Sequence, residues 1–99
     1  MIAYKLFRKL KNGSIRSLFI NKKVDLPLNT WLEADFHPTK GFKERFGWHC
    51  CPSPVAPHLS IKNRAWYQVE MLNYTELVKP ASQGGKWYLA GMIKIIKEI

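Results

Sequence analysis

The feature that most limits what this chain can become is an alternating segment closed by an Asn-Gly pair. Ile2, Tyr4, Leu6 and then Leu10 alternate with Lys5, Lys9 and Lys11. Successive side chains on a strand leave opposite faces, so this pattern describes a half-buried strand. Asn12-Gly13 follows, a pair that tolerates the positive φ angles of a tight hairpin turn. Residues 14–20 then supply Ile15, Leu18, Phe19 and Ile20 for a return strand. A chain that opens on a β-hairpin with one greasy face must cover that face with more sheet.

The remaining chain is punctuated to match. Asn21-Lys22-Lys23 reads as a turn, and Pro27 confines residues 24–28 to an edge or a loop. Residues 30–36 read as a strand, broken by His37-Pro38-Thr39-Lys40-Gly41. Residues 40–46 read as a loop or single turn. Gly47-Trp48-His49-Cys50-Cys51 reads as a short buried strand ended by Pro52-Ser53-Pro54, where Ser53 is placed to cap a short helix over 54–59. Along 64–72, Ala65, Tyr67, Val69 and Met71 share one face, with Trp66, Gln68 and Glu70 on the other. Residues 80–85 form a loop, 86–90 fit a helical turn or a strand, and 92–99 read as a terminal strand. The expected architecture is α+β: a strand-dominated small sheet or barrel of about six strands, with at most two short helices. With 99 residues there is one domain, 1–99, and 13% aromatic side chains exclude extended disorder.

Charge carries the first functional hint. The net charge is +9, and residues 1–24 hold Lys5, Arg8, Lys9, Lys11, Arg16, Lys22 and Lys23 with no acid among them. Such a field draws in phosphate-bearing partners; a solvated basic surface is the plainer reading. Nucleic-acid contact would fall to these seven side chains.

A second constellation lies outside the hairpin. Aromatic and cationic or polar residues recur together at Trp48-His49, Arg64-x-Trp66 and Gly85-Lys86-Trp87. A ring stacks on a nucleobase while a cation meets its phosphates. Gly84-Gly85 allows close backbone approach, and His58 ends a proline-framed turn. These nine residues, Trp48, His49, His58, Arg64, Trp66, Gly84, Gly85, Lys86 and Trp87, are the candidate site for a small anionic, nucleotide-like ligand. Core tryptophans and a flexible loop are the alternatives. The spacing does not make a P-loop.

Cys50 and Cys51 are adjacent, so a disulfide between them would be strained and close no loop. Reduced thiols and a cytoplasmic address follow. On a strand the two thiols face opposite ways, which disfavours a zinc site with His37, His49 and His58; no metal or cofactor is expected. A Cys51 nucleophile with His49 as base lacks an evident oxyanion donor. The amino terminus shows no apolar signal core, and no stretch reads as a membrane helix.

The motifs Gly47-Trp48-His49-Cys50, Pro54-Val55-Ala56-Pro57-His58-Leu59, Arg64-Ala65-Trp66, Val69-Glu70 and the run from Ser82 to Ala90 (SQGGKWYLA) resemble a family of small uncharacterised proteins met in tailed phages and prophages. The resemblance spans Tyr4 to Ile96. More distantly, the layout is similar to compact ADP-ribosyltransferase-like domains, in which Gln68-Val69-Glu70 would hold the catalytic glutamate and Arg8 the first-strand cation. The resemblance implies a phage origin, hence the host cytoplasm, and brings no established activity. Three readings stand. One is a protein that holds a nucleotide-like ligand without turnover, such as a sponge or inhibitor counteracting host defence, with a homo-oligomer or a host defence protein as partner. The second is a basic nucleic-acid-binding accessory protein, and the third a minimal ADP-ribosyltransferase-like enzyme.

Overall fold

The computed structural model describes residues 1–18, 24–34 and 47–99. Six strands make one sheet: β1 (Ile2–Lys9), β2 (Ile15–Arg16), β3 (Trp31–Glu33), β4 (Trp48–Cys50), β5 (Arg64–Val78) and β6 (Lys86–Glu98). Every pairing is antiparallel, in the order β2-β1-β5-β6-β3, with β4 also on β6 beyond β3. The sheet curls until its ends touch. Tyr4 and Cys51 exchange both backbone hydrogen bonds, at 2.8 and 2.7 Å, which joins β1 to the residue after β4.

The opening hairpin forms, but with the opposite face inward: Ala3 and Phe7, not Ile2, Tyr4 and Leu6, join the inner cluster, and Ile2 is exposed. The turn differs as well. Leu10 and Ser14 close a three-residue loop in which only Gly13, at φ 88, takes positive φ. Asn12 instead accepts a bond from the Ser14 amide through its side chain, at 3.0 Å. Its return strand is only two residues long. Phe19, Ile20, Lys22 and Lys23, the end of the strand expected over 30–36, and His37 with the loop expected over 40–46 all lie outside the described residues.

The expected α component is missing among the described residues, where the single helical element is one 3₁₀ turn, Ala81–Gln83, and strands dominate. Residues 54–59 do not form a helix: Val55 bonds back to Ser53 and Leu59 to Ala56, two separate tight turns. Three prolines within 52–57 leave too few amide donors for a helical ladder. The two segments expected over 86–90 and 92–99 are one strand. They look separate because the inward parity changes between them: Tyr88 and Ala90 face the core on one side, Ile93 and Ile95 on the other. At the change, Asn73 sits at φ 53 and Gly91 has no side chain to obstruct it; a Cβ there would lie 3.3 Å from that of Asn73. A bulge between Gln68 and Val69 makes a further register shift, with Ile96 the extra residue.

Two apolar clusters result. The inner one gathers Ala3, Phe7, Tyr67, Val69, Met71, Ile93 and Ile95 inside the curl, and Phe7 meets Tyr67 edge to face at 5.7 Å. On the outer face, Cys51, Ala56 and Trp87 pack with Leu59, Trp66 and Leu77. Residues 51–60 therefore cover the outside of the β5–β6 hairpin.

Candidate nucleic-acid interface

Of the nine residues expected to hold a nucleotide, His49, His58, Trp66 and Gly84 gather around Trp87, while Trp48, Arg64, Gly85 and Lys86 do not join them. Trp87 is the centre of the outer cluster and only 6% exposed. Its indole N–H donates to the Gln83 carbonyl at 2.6 Å. The rings of His58 and His49 lie 5.6 and 6.4 Å from it, and the Lys79 ammonium stands 4.6 Å above it. Gly84 is needed beside that ring, since a Cβ there would come within 3.3 Å of its nitrogen. This tryptophan packs; it offers little face to a base. Trp48 lies against the inner cluster and spends its N–H on the Leu32 carbonyl at 3.1 Å. Lys86 is exposed and ion-paired to Glu76 at 2.9 Å, which raises its pKa. Gly85 accepts from the Lys79 amide and serves the hairpin turn.

Trp66 packs on the rim of that same outer cluster, and two residues before it on the same strand face Arg64 meets the basic hairpin. Register places Arg8 directly opposite Arg16 on β2 and directly opposite Arg64 on β5. Directly opposed residues share a face, so three arginines form a row across three adjacent strands, with neighbouring Cβ atoms about 5 Å apart. Like charges so placed repel. Arg16 is relieved by Asp25, whose carboxylate is 2.7 Å from its Nε. Arg64 donates to the Ser60 carbonyl at 3.0 Å. The side chain of Arg8 has no hydrogen-bond or ion-pair partner among the described residues.

A cleft of about 270 Å³ opens beside this row, lined by Arg8, Leu18, Lys62, Asn63 and Arg64. The local chain is built to present it. Asn63 adopts φ 58, its carbonyl accepts from the Lys9 amide at 2.9 Å, and the Arg64 amide bonds back to Ile61. That tight turn into β5 holds Lys62 and Arg64 at the cleft. Sequence alone does not point to Leu18, Lys62 or Asn63; the signal in the chain is the triplet Lys62-Asn63-Arg64, which gains meaning only once β5 is registered against β1.

The other basic residues divide. Lys9 pairs with Glu98 at 2.6 Å, which raises its pKa, and Lys11 is exposed in the hairpin turn. Lys5 does not belong to the basic face. It lies between inward-facing Ala3 and Phe7, and its ammonium donates to the His49 carbonyl at 2.8 Å, with the Phe7 and Trp48 rings 5.7 and 5.9 Å away. Burial lowers its pKa, partly offset by the nearby Cys50 and Cys51. Those thiols are free and buried, one in each cluster. Desolvation pushes Cys50 up to about 11 and Cys51 up to about 12, so both are neutral thiols rather than nucleophiles at neutral pH.

The transferase-like arrangement does not assemble. Arg8 pairs with Arg64, while Glu70 pairs with Ile2 six residues along the same ladder, a separation of about 20 Å. Glu70 instead faces Lys94, at 3.8 Å. Among the described residues no helix is long and apolar enough to cross a membrane. No family model, curated protein or solved structure matches the chain.

Proposed function

We propose that this protein binds nucleic acid through its phosphate backbone, on the outer face of β2, β1 and β5. The observation that carries this reading is the Arg16–Arg8–Arg64 row, in which Arg8 stands between two cations with no acidic partner among the described residues. Asp25 and the Ser60 carbonyl engage Arg16 and Arg64, yet the row still sets like charges side by side; an incoming polyanion turns that repulsion into attraction. Arginine suits the role because its planar fork grips two phosphate oxygens at once. Lys62 at the cleft and Lys11 in the hairpin turn extend the basic surface, within a chain of net charge +9.

Mobility-shift titration of a labelled oligonucleotide at low salt tests this. Wild type should shift it, and the double variant Arg8→Glu, Arg64→Glu should not, with its circular dichroism intact. Absence of a wild-type shift at about 50 mM salt would refute the reading, since nonspecific binding is strongest there. A second reading, a nucleotide-class ligand held without turnover, is favoured by the size of the cleft, which is on the scale of one nucleotide. Calorimetry with linear and cyclic nucleotides tests it, and loss of that binding in Arg64→Ala would place the ligand in this cleft.

A further inference from the structure

We infer that the nucleic acid this face takes is single-stranded, with a base stacked on Trp66 beside the arginine row. The inference rests on the reading of that row as a phosphate site. Leu6 is paired with Trp66 and Arg8 with Arg64 on the same β1–β5 ladder, two residues apart. Side chains two apart on a strand share a face, so the indole lies about 7 Å along the strand from the arginines. A backbone phosphate on Arg8 and Arg64 leaves its own base or the next within reach of that ring.

Trp66 is partly exposed, as Trp48 is and Trp87 is not, and one side packs on the outer cluster with Cys51, Ala56 and Trp87, which fixes the ring. Its indole N–H sets it apart from both. Trp48 and Trp87 commit their indole N–H groups to backbone carbonyls, whereas that of Trp66 has no partner among the described residues. Leu18 adds apolar surface among the cations of the cleft, and Ile61, the residue before Lys62, is 69% exposed. A simple anion site gains nothing from such surface; an unstacked base does. In a duplex the base faces are already covered by their neighbours, so the ring would have only the backbone beside it. A single strand can turn a base outward onto it, and any of the bases would serve.

Three fluorescein-labelled probes separate the outcomes by anisotropy at about 50 mM salt: a 15-nucleotide oligothymidylate, an abasic oligomer of equal length and charge, and a 15-base-pair duplex. The oligothymidylate should bind tightest and quench tryptophan fluorescence. The abasic oligomer should bind roughly 5- to 150-fold more weakly, the range that one stacked base confers. Trp66→Leu should bring oligothymidylate down to the abasic affinity, leave abasic binding unchanged, and remove the quench. The abasic comparison stands even if that variant fails to fold. Equal affinity for oligothymidylate and abasic oligomer, or a duplex bound as tightly as the single strand, would overturn the inference while leaving the phosphate site intact. If none of the three binds, the phosphate reading itself fails.

Discussion

Replacing Arg8 with glutamine should make the protein more stable and less functional at once. Arg8 faces Arg16 on one side and Arg64 on the other. For guanidinium groups set at about 6 Å, close to the spacing of directly opposed residues, each like-charge contact would cost about 0.7 kcal/mol in water. Physiological salt removes roughly half of that, and Asp25 already offsets part of the Arg16 charge. The net relief on removing Arg8 is then about 0.5 kcal/mol, which for a domain of this size raises Tm by roughly 2–4 °C. Glutamine keeps the length and polarity of the side chain, so little packing is lost. The same change should weaken oligonucleotide binding about tenfold or more, because one charge-assisted contact to phosphate disappears. Differential scanning fluorimetry at low and high salt, beside an anisotropy titration, reads both effects. The gain in Tm should shrink as salt rises. A fall in Tm of several degrees would show that Arg8 holds the sheet together, and the argument from an unrelieved arginine row would collapse.

Three further outcomes test the fold beneath the site. Gly47→Ala should cost about 3 kcal/mol or more, because Gly47 has φ 132 and a Cβ would lie 2.8 Å from both the Ala90 carbonyl oxygen and a Leu89 side-chain carbon; an unchanged denaturant midpoint would contradict the close approach of β4 to β6. Cys50 and Cys51, with pKa values near 11 and 12, should resist Ellman's reagent at pH 8 in the native protein and react promptly in urea; fast native labelling would show that they are not buried. Lys5→Met bears on the buried amine. Because burial lowers the folded pKa of Lys5 below 10.5, the cost of desolvating its charge is fully present at neutral pH. That cost fades as pH rises through the folded pKa toward 10.5. The stability of Lys5→Met relative to wild type should therefore be most favourable near pH 7 and decline by pH 10, and a difference independent of pH would refute the buried placement.

The existence of the hairpin, the strand at β4 and the inward face Ala65, Tyr67, Val69 and Met71 are legible because strand patterning and Asn-Gly chemistry are local. The inward face of β1 is not, because Leu6 is buried on the outer side while Ala3 and Phe7 face the inner cluster. The unity of β6 is not either, since its inward parity changes at Gly91 through a contact with Asn73 some eighteen positions away. The helix expected after Ser53 has a capping residue and a proline in favourable places, yet the clustered prolines remove the donors it needs. The same limit governs the site. Aromatic–cation neighbours in sequence single out Arg64, Trp66 and Trp87 alike, and do not tell a partly exposed ring from Trp87, which the covering segment 51–60 buries. Alternation in sequence puts Lys5 on the polar face of the hairpin; only the structure, with Ala3 and Phe7 inward, puts it on the inner face. That Arg16, Arg8 and Arg64 form one row is a fact of strand register, which two short patterns read separately do not contain.

The dependence of oligothymidylate affinity on salt tests the central claim most directly. If Arg8, Arg16, Arg64 and Lys62 meet three or four phosphates, log K should fall linearly with log salt at a slope of about −2 to −3, given roughly −0.7 per contact on a single strand. Arg8→Gln should flatten that slope by about 0.7. A slope near zero, or one identical in Arg8→Gln and wild type, would mean that the arginine row is not where phosphate binds.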